Sequence, residues 1–197
     1  MNKLLITIGF LIMVAAQWYV PGIMILDQEN ALTDGTAYKF KTQPIDPNDP
    51  FRGKYVWLNY EMASVKSTDS IWDYKQPIYV YIKTGADGYA EATEASKTLL
   101  DTDQDYVKAV AGNYYNKEEL HFELPFDRFY MEESKALDAE RGIRRTQLGG
   151  RDSLAPVCYA LVFVKEDIAV LDNVFIGDVS VKAFVEKEQA DRASKQK

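Results

Sequence analysis

The first hydrophobic stretch of the chain contains no charge. Lys3 precedes an apolar run from Leu4 to Leu26, and Asp27 is the first charged residue after it. The 23 residues of this run would span roughly 34 Å as a helix, enough to cross a hydrocarbon core of about 30 Å. We therefore predict a single membrane anchor over residues 1–26, interrupted near its far end by Pro21-Gly22.

A cleaved signal peptide is the competing interpretation of the same stretch. Val14-Ala-Ala16 offers small residues at the spacing that a signal peptidase accepts. The apolar run is longer than the usual signal-peptide core of about 7 to 15 residues, which favours an anchor. Lys3 before the run, with Asp27 and Glu29 after it, favours a cytoplasmic N-terminus. The sequence then predicts a single-pass protein of the cytoplasmic (inner) membrane, with its C-terminal domain in the periplasm or exterior.

After the anchor, apolar and polar residues alternate with a period of two, as expected of strands that bury one face. The Gly85-Ala-Asp-Gly88 segment is typical of a tight hairpin turn. Between Glu132 and Arg145 the pattern instead favours a helix, with acidic residues in its first turn and arginines near its end. The predicted strands are 37–42, 53–62, 76–83, 89–96, 106–111, 120–124, 157–164, 168–171 and 174–181.

Many strands bounded by turns, without regularly alternating helices, predict an α+β, β-rich fold. We expect a mostly antiparallel sheet folded as a sandwich or a partly open barrel. One soluble helix would accompany the sheet, behind a single N-terminal transmembrane helix. The β-rich extracytoplasmic domain is predicted to cover residues 27–185, and residues 186–197 are expected to form a charged, frayed tail.

Composition narrows the classes of partner. The chain is 47% hydrophobic and contains 13 tyrosines and 9 phenylalanines, which excludes a disordered protein. Lys3 is the only charged residue before Asp27, so the remaining chain carries 22 basic and 30 acidic side chains. A phosphate-binding surface needs clustered lysine and arginine, and this acidic balance predicts no nucleic-acid partner.

The residues that most often carry chemistry form no complete set. Cys158 lies in an apolar segment and is expected to be a small buried side chain. His121 is the only histidine, which excludes a His-rich zinc site, and it shares the polar face of its strand with Glu123. Asp101-Thr-Asp-Gln-Asp105 begins like a calcium loop, but Tyr106 stands where that loop requires glycine. We predict no catalytic residue, metal ligand or cofactor.

A proline-bound turn opens into the most distinctive strand of the chain. Pro47 and Pro50 fix φ and hold the residues before them extended, so this segment is a rigid loop and not a helix. The strand that follows alternates aromatic and apolar residues from position 53 to position 62. Its predicted buried face consists of Val56, Leu58, Tyr60 and Met62. Four aromatic residues that are candidates for lining a groove are Tyr55, Trp57, Tyr79 and Tyr81.

The eight residues Gly53-Lys-Tyr-Val-Trp-Leu-Asn-Tyr60 resemble the signature of the GDYXXLXY family of membrane-anchored bacterial proteins. The match holds at Gly53, Tyr55, Leu58 and Tyr60. It departs at Lys54, where the family pattern has aspartate. The stretch Phe126-Asp-Arg-Phe-Tyr-Met-Glu-Glu133, followed by Glu140, is similar to a later aromatic and acidic segment of the family. The resemblance implies a membrane location and no established activity.

Two functional hypotheses follow. The first is a single-pass binding or assembly module of the bacterial envelope, which partners another membrane protein and whose small ligand, if any, is unknown. The second is a membrane-anchored hydrolase with a site near Arg52, Glu133 and Glu140. The hydrolase requires those three residues to converge in a concave pocket, whereas the binding module requires an exposed strand edge or aromatic patch. The candidate binding residues are Arg52, Gly53, Tyr55, Tyr60, Arg128, Tyr130, Glu133 and Glu140.

Overall fold

The computed structural model describes residues 3–43, 55–66, 72–112, 119–132, 135–136, 138–139, 141–143 and 156–195. Its helices are α1 (Lys3–Asp34) and α2 (Val181–Lys195). Its strands are β1 (Thr36–Gln43), β2 (Tyr55–Trp57), β3 (Asn59–Tyr60), β4 (Ser64–Lys66), β5 (Pro77–Thr84), β6 (Ala90–Ser96), β7 (Tyr106–Ala111), β8 (Glu119–Glu123), β9 (Arg128–Tyr130), β10 (Cys158–Lys165), β11 (Ile168–Ile176) and β12 (Val179–Ser180). The described residues between 135 and 143 are also helical, as the charge pattern predicted.

The strands form two five-stranded sheets and one two-stranded ladder. The first sheet has the order β12-β11-β10-β1-β3, the second has the order β4-β8-β7-β5-β6, and β2 pairs with β9. Neighbouring strands are antiparallel throughout the described sheets. The edge strands β4 and β6 approach each other, so the second sheet nearly closes into a barrel. These features confirm the predicted α+β, β-rich class.

One hydrophobic core lies between the two larger sheets. Phe40 of β1 and Val162 of β10 belong to the same buried cluster as Val80 of β5 and Leu120 of β8, and all four side chains are fully buried. The Phe40 ring also meets the Phe126 ring edge-on at a centroid distance of 5.0 Å. Alternating side chains therefore fill the interior, as the period of two predicted.

Strand β11 corrects the prediction of two separate strands at 168–171 and 174–181. It is one strand from Ile168 to Ile176, and its pairing with β10 shifts where Leu161 pairs with Asn173 while Val162 pairs with Leu171. The extra residue, Asp172, forms a bulge. The strand therefore continues through Asp172 and Asn173, the two polar residues that separate the predicted strands. The strand ends before Gly177, whose φ of 60° turns the chain into β12.

The C-terminal segment also differs from the prediction of a frayed tail at 186–197, because α2 continues to Lys195. Val185 is fully buried, and Ala139 in the helical segment before residue 143 is buried as well. Asp138 in that segment accepts hydrogen bonds from the Gln189 side chain at 2.9 Å and from Arg192 at 3.0 Å. A narrow apolar stripe with long-range polar contacts therefore stabilises a helix whose composition alone is typical of a solvated tail.

The sequence predicted an interruption of the first helix at Pro21-Gly22. In the structure α1 continues through Pro21 without a break. Proline removes one backbone donor, and the surrounding hydrogen bonds are enough to continue the helix. The helix is long and apolar enough to cross a membrane. Its large apolar side chains from Leu4 to Leu26 are exposed, as a lipid-facing surface would be.

The last turn of α1 is part of the domain. Ala31 is fully buried, and this end of the helix packs against β10 and β11. The Gly35 N–H donates to the Ala31 carbonyl at 3.0 Å, and a Cβ at Gly35 would overlap the carbonyl oxygens of Ala31 and Val164. Asp34 forms an ion pair with Lys165 at 3.0 Å. The helix therefore joins the β domain directly, through a close approach that only glycine permits.

Candidate functional site

The ladder of β2 and β9 brings together side chains that lie far apart in the sequence. Tyr55 is opposite Tyr130, and Trp57 is opposite Arg128. Because side chains alternate along a strand, these four residues share one face of the ladder. Val56 is buried at the other face, which attaches the ladder to the core. We call Tyr55, Trp57, Arg128 and Tyr130 the aromatic ladder.

Arg128 is held by the aromatic rings around it. Its Cζ atom lies 5.4 Å from the centre of the Tyr55 ring and 5.3 Å from the Trp57 ring, both within cation–π range. The rings of Tyr55 and Tyr130 are 5.7 Å apart. A hydrogen bond with Tyr130 and the charge of Asp127 raise the pKa of Arg128 above its usual value, so the guanidinium stays charged. The cluster is thus a preorganised cation among aromatic faces.

The aromatic ladder is accessible. The Tyr130 side chain is 66% exposed and Trp57 is 36% exposed. Tryptophan, tyrosine and arginine are enriched among the residues that contribute most binding energy at protein interfaces. The two aromatic side chains bury a large rigid group at little cost in conformational entropy, and arginine donates several hydrogen bonds from one planar group. The four side chains include no nucleophile paired with a base, so their chemistry suits recognition.

Tyr60 belongs to the core and not to the aromatic ladder. It is only 7% exposed, and its hydroxyl donates to the Phe126 carbonyl at 2.7 Å. Burial raises the pKa of Tyr60 far above its ordinary value. Its ring meets Phe126 edge-on at 5.4 Å. This predicted site residue therefore fixes the turn after β8 beside β3.

The other predicted site residues, Arg52, Gly53, Glu133 and Glu140, lie outside the described residues. Their convergence stays a prediction, and so does the hydrolase hypothesis that depends on it. The proposed grouping of four aromatic residues holds only for Tyr55 and Trp57. Tyr81 is fully buried in β5, where its hydroxyl accepts the Leu100 N–H at 2.6 Å.

A groove that the sequence did not indicate borders the aromatic ladder at Trp57. Its first compartment is a cavity of about 330 Å³. Its second, of about 340 Å³, shares Glu123, Leu124 and Asp127 with the first. The Leu58 N–H donates to the Asp127 carbonyl at 2.7 Å, which brings the two chain segments together. We call the two neighbouring compartments together the Trp57 groove. The residues that line its first compartment include Gln43, Trp57, Asn59, Met62, Glu123 and Asp127.

The remaining reactive side chains have structural surroundings. Cys158 is 2% exposed, and burial raises its pKa to about 11, so the thiol is protonated at neutral pH. The Asp105 carboxylate accepts the Tyr38 hydroxyl at 2.8 Å. Burial, with this hydrogen bond, raises the pKa of Tyr38 to about 12. His121 is exposed on β8, on the same face as Glu123. Within the described ranges, no group of three or more His, Cys, Asp or Glu side chains is arranged to hold a metal ion.

Comparison with known proteins adds one finding. A family model described as GDYXXLXY protein matches residues 17–168, which include the aromatic ladder and the Trp57 groove. No curated protein and no solved structure matches the chain. The family match covers well over half of the 197 residues. The chain therefore belongs to the GDYXXLXY family.

Proposed function

We propose that this protein is a single-pass binding or assembly module of the bacterial envelope. Its N-terminus lies in the cytoplasm, α1 crosses the inner membrane, and the β domain faces the periplasm or exterior. Its partner is another membrane protein, which it contacts through the aromatic ladder. The observation that carries this proposal is the exposed cluster of Tyr55, Trp57, Arg128 and Tyr130 on a ladder fixed to the core.

The anchor supports the proposed location. The apolar side chains of α1 would cost free energy in water, and a bilayer removes that cost. Lys3 at one end of the apolar run, with Asp27 and Glu29 at the other, favours the proposed orientation. Because α1 ends in the domain, the aromatic ladder is carried on a body that stays at the membrane, where a membrane partner is concentrated.

The aromatic ladder supports a protein partner. Covering the exposed parts of Tyr130 and Trp57 would remove apolar ring surface from water, and the Arg128 guanidinium has donors suited to a partner carboxylate or carbonyl. Arg128 is already positioned by Tyr55 and Trp57, so binding would cost less side-chain entropy than at a free arginine.

The test is a cross-linking pull-down of the full-length protein from solubilised native membranes. We expect one stoichiometric membrane protein to be recovered, and we expect Tyr130→Ala and Arg128→Ala each to reduce its recovery at least about tenfold, as interface anchors do. The matched control is Tyr74→Ala, which removes an equally exposed tyrosine, 61% exposed, outside the aromatic ladder.

Thermal unfolding of each variant separates lost binding from lost folding. The proposal is refuted if folded Tyr130→Ala and Arg128→Ala recover as much partner as the wild-type protein does. Equal losses in Tyr74→Ala would also count against it, because they would show that any exposed tyrosine has the same effect.

A further inference from the structure

The Trp57 groove is a second surface, which a protein partner on the aromatic ladder does not explain. We propose that the groove binds an uncharged, hydroxyl-rich oligosaccharide. This inference goes beyond the proposed protein partner and does not depend on it. The two surfaces meet at Trp57, but Glu123 lines only the groove and Tyr130 belongs only to the aromatic ladder.

The groove pairs an apolar wall with groups that form several hydrogen bonds each. Trp57 and Met62 line the first compartment together with Gln43 and Asn59, whose side chains are amides. An amide both donates and accepts, and a carboxylate such as that of Glu123 accepts from more than one hydroxyl. A sugar ring has a C–H face that packs on an indole ring and a hydroxyl edge that bonds such groups. A purely apolar ligand would instead leave these polar groups desolvated without partners.

The charges along the groove favour a neutral ligand. Glu123 and Asp127 lie where the two compartments meet, so an anionic ligand would be repelled at that point. Lys108 lines the second compartment, and the Arg128 guanidinium lies over the Trp57 ring at 5.3 Å. Lys108 pairs with Asp167 at 2.5 Å, and Arg128 lies 3.6 Å from the Asp127 carboxylate. A cationic ligand would therefore meet like charge at Lys108 and would compete with Arg128 for Asp127.

The shape of the groove favours a chain of sugars over a single one. Each compartment falls within the size range of small-molecule sites, about 300 to 1,000 Å³, and three residues line both of them. A linear oligosaccharide extends through both compartments, with hydroxyls of one ring at the Glu123 and Asp127 carboxylates. The same ligand places a second ring against Trp57.

The experiment uses full-length protein in a detergent that has no sugar headgroup. Chitohexaose is the neutral probe, hexalysine the cationic probe and hexagalacturonate the anionic probe, and binding is measured by saturation-transfer NMR titration. We expect saturable binding of chitohexaose alone. We also expect Trp57→Ala and the isosteric Glu123→Gln each to weaken that binding about tenfold, while Tyr130→Ala leaves it unchanged.

Three outcomes would overturn the inference: no chitohexaose binding at its solubility limit, preferential binding of either charged probe, or unchanged affinity in both groove variants. Glu123 is exposed, so Glu123→Gln remains informative even where Trp57→Ala fails to fold. The test is distinct from the pull-down: Tyr130→Ala is expected to lose the protein partner and keep the sugar, and Glu123→Gln to do the reverse.

Discussion

The Tyr60 hydroxyl provides a direct test of whether this residue holds the fold or binds a partner. Tyr60→Phe removes one oxygen atom and keeps the ring that packs against Phe126. The lost hydrogen bond is buried, so the Phe126 carbonyl would lose its donor in a place where water has little access. The net loss of such a bond is about 1 kcal/mol, and a buried carbonyl left without its partner costs about 1 to 3 kcal/mol.

We therefore expect Tyr60→Phe to lower the free energy of unfolding by about 2 kcal/mol. For a chain of this size that corresponds to a decrease in Tm of about 4 to 8 °C. The assay is thermal unfolding of the full-length protein followed by near-ultraviolet circular dichroism. The control is Tyr74→Phe, the same chemical change on an exposed ring, with an expected effect within about 0.5 kcal/mol.

A different result would identify a different role. If Tyr60→Phe left Tm unchanged and reduced recovery of a partner in the pull-down, the structural assignment of Tyr60 would be wrong. The residue would then belong to a binding surface, as its place among the candidate binding residues predicted.

Two further predictions concern titratable groups. A hydrogen bond from Gln189, and then one from Arg192, hold the pKa of Asp138 below its ordinary value. The contribution of Asp138 to stability is therefore fully present above the unfolded pKa of about 3.9. It is lost as the pH falls through the lower pKa of the folded state. Asp138→Asn should lower the free energy of unfolding by about 1.5 kcal/mol at neutral pH. Denaturant unfolding over a pH series should show this difference between the variant and the wild-type protein shrinking below about pH 4. A difference independent of pH would contradict the assignment. Burial raises the pKa of the Cys158 thiol to about 11. The thiol should therefore react with a thiol-specific disulfide reagent only in denaturant. Rapid labelling of the native protein would show instead that Cys158 is accessible to solvent.

The sequence predicted the strands whose alternation is long enough to see. β1, β5 and β7 each show several alternating positions, and their inner residues are buried as expected. β9 is only three residues long, so Arg128 and Tyr130 carry no local sign of a strand. The helix α2 was missed for a related reason, because its stability depends on contacts with a distant helical segment around Asp138.

Three of the eight candidate binding residues are members of the aromatic ladder, and the sequence did not predict how they meet. The resemblance to the family indicated Tyr55, Arg128 and Tyr130, and the structure brings all three together. The contact between Arg128 and Trp57 depends on pairing between strands far apart in the chain, which no local pattern encodes. For Tyr60 the local pattern was sufficient. Alternate positions of a strand point to opposite sides, and the alternation predicted that Tyr60 is buried, as it is in the structure.

The direct junction between α1 and the β domain fixes the rotation of the helix about its own axis relative to the domain. A helix turns by about 100° and rises 1.5 Å per residue, and no hinge separates Leu26 from the docked turn at Ala31. In the proposed membrane arrangement, the side of α1 that faces a neighbour in the bilayer determines the direction in which the aromatic ladder points. One residue inserted after Asp27 would swing the domain by about a quarter of a circle with little change in height. In that arrangement, a partner must match the orientation of the aromatic ladder about the axis of α1 as well as the surface of the ladder.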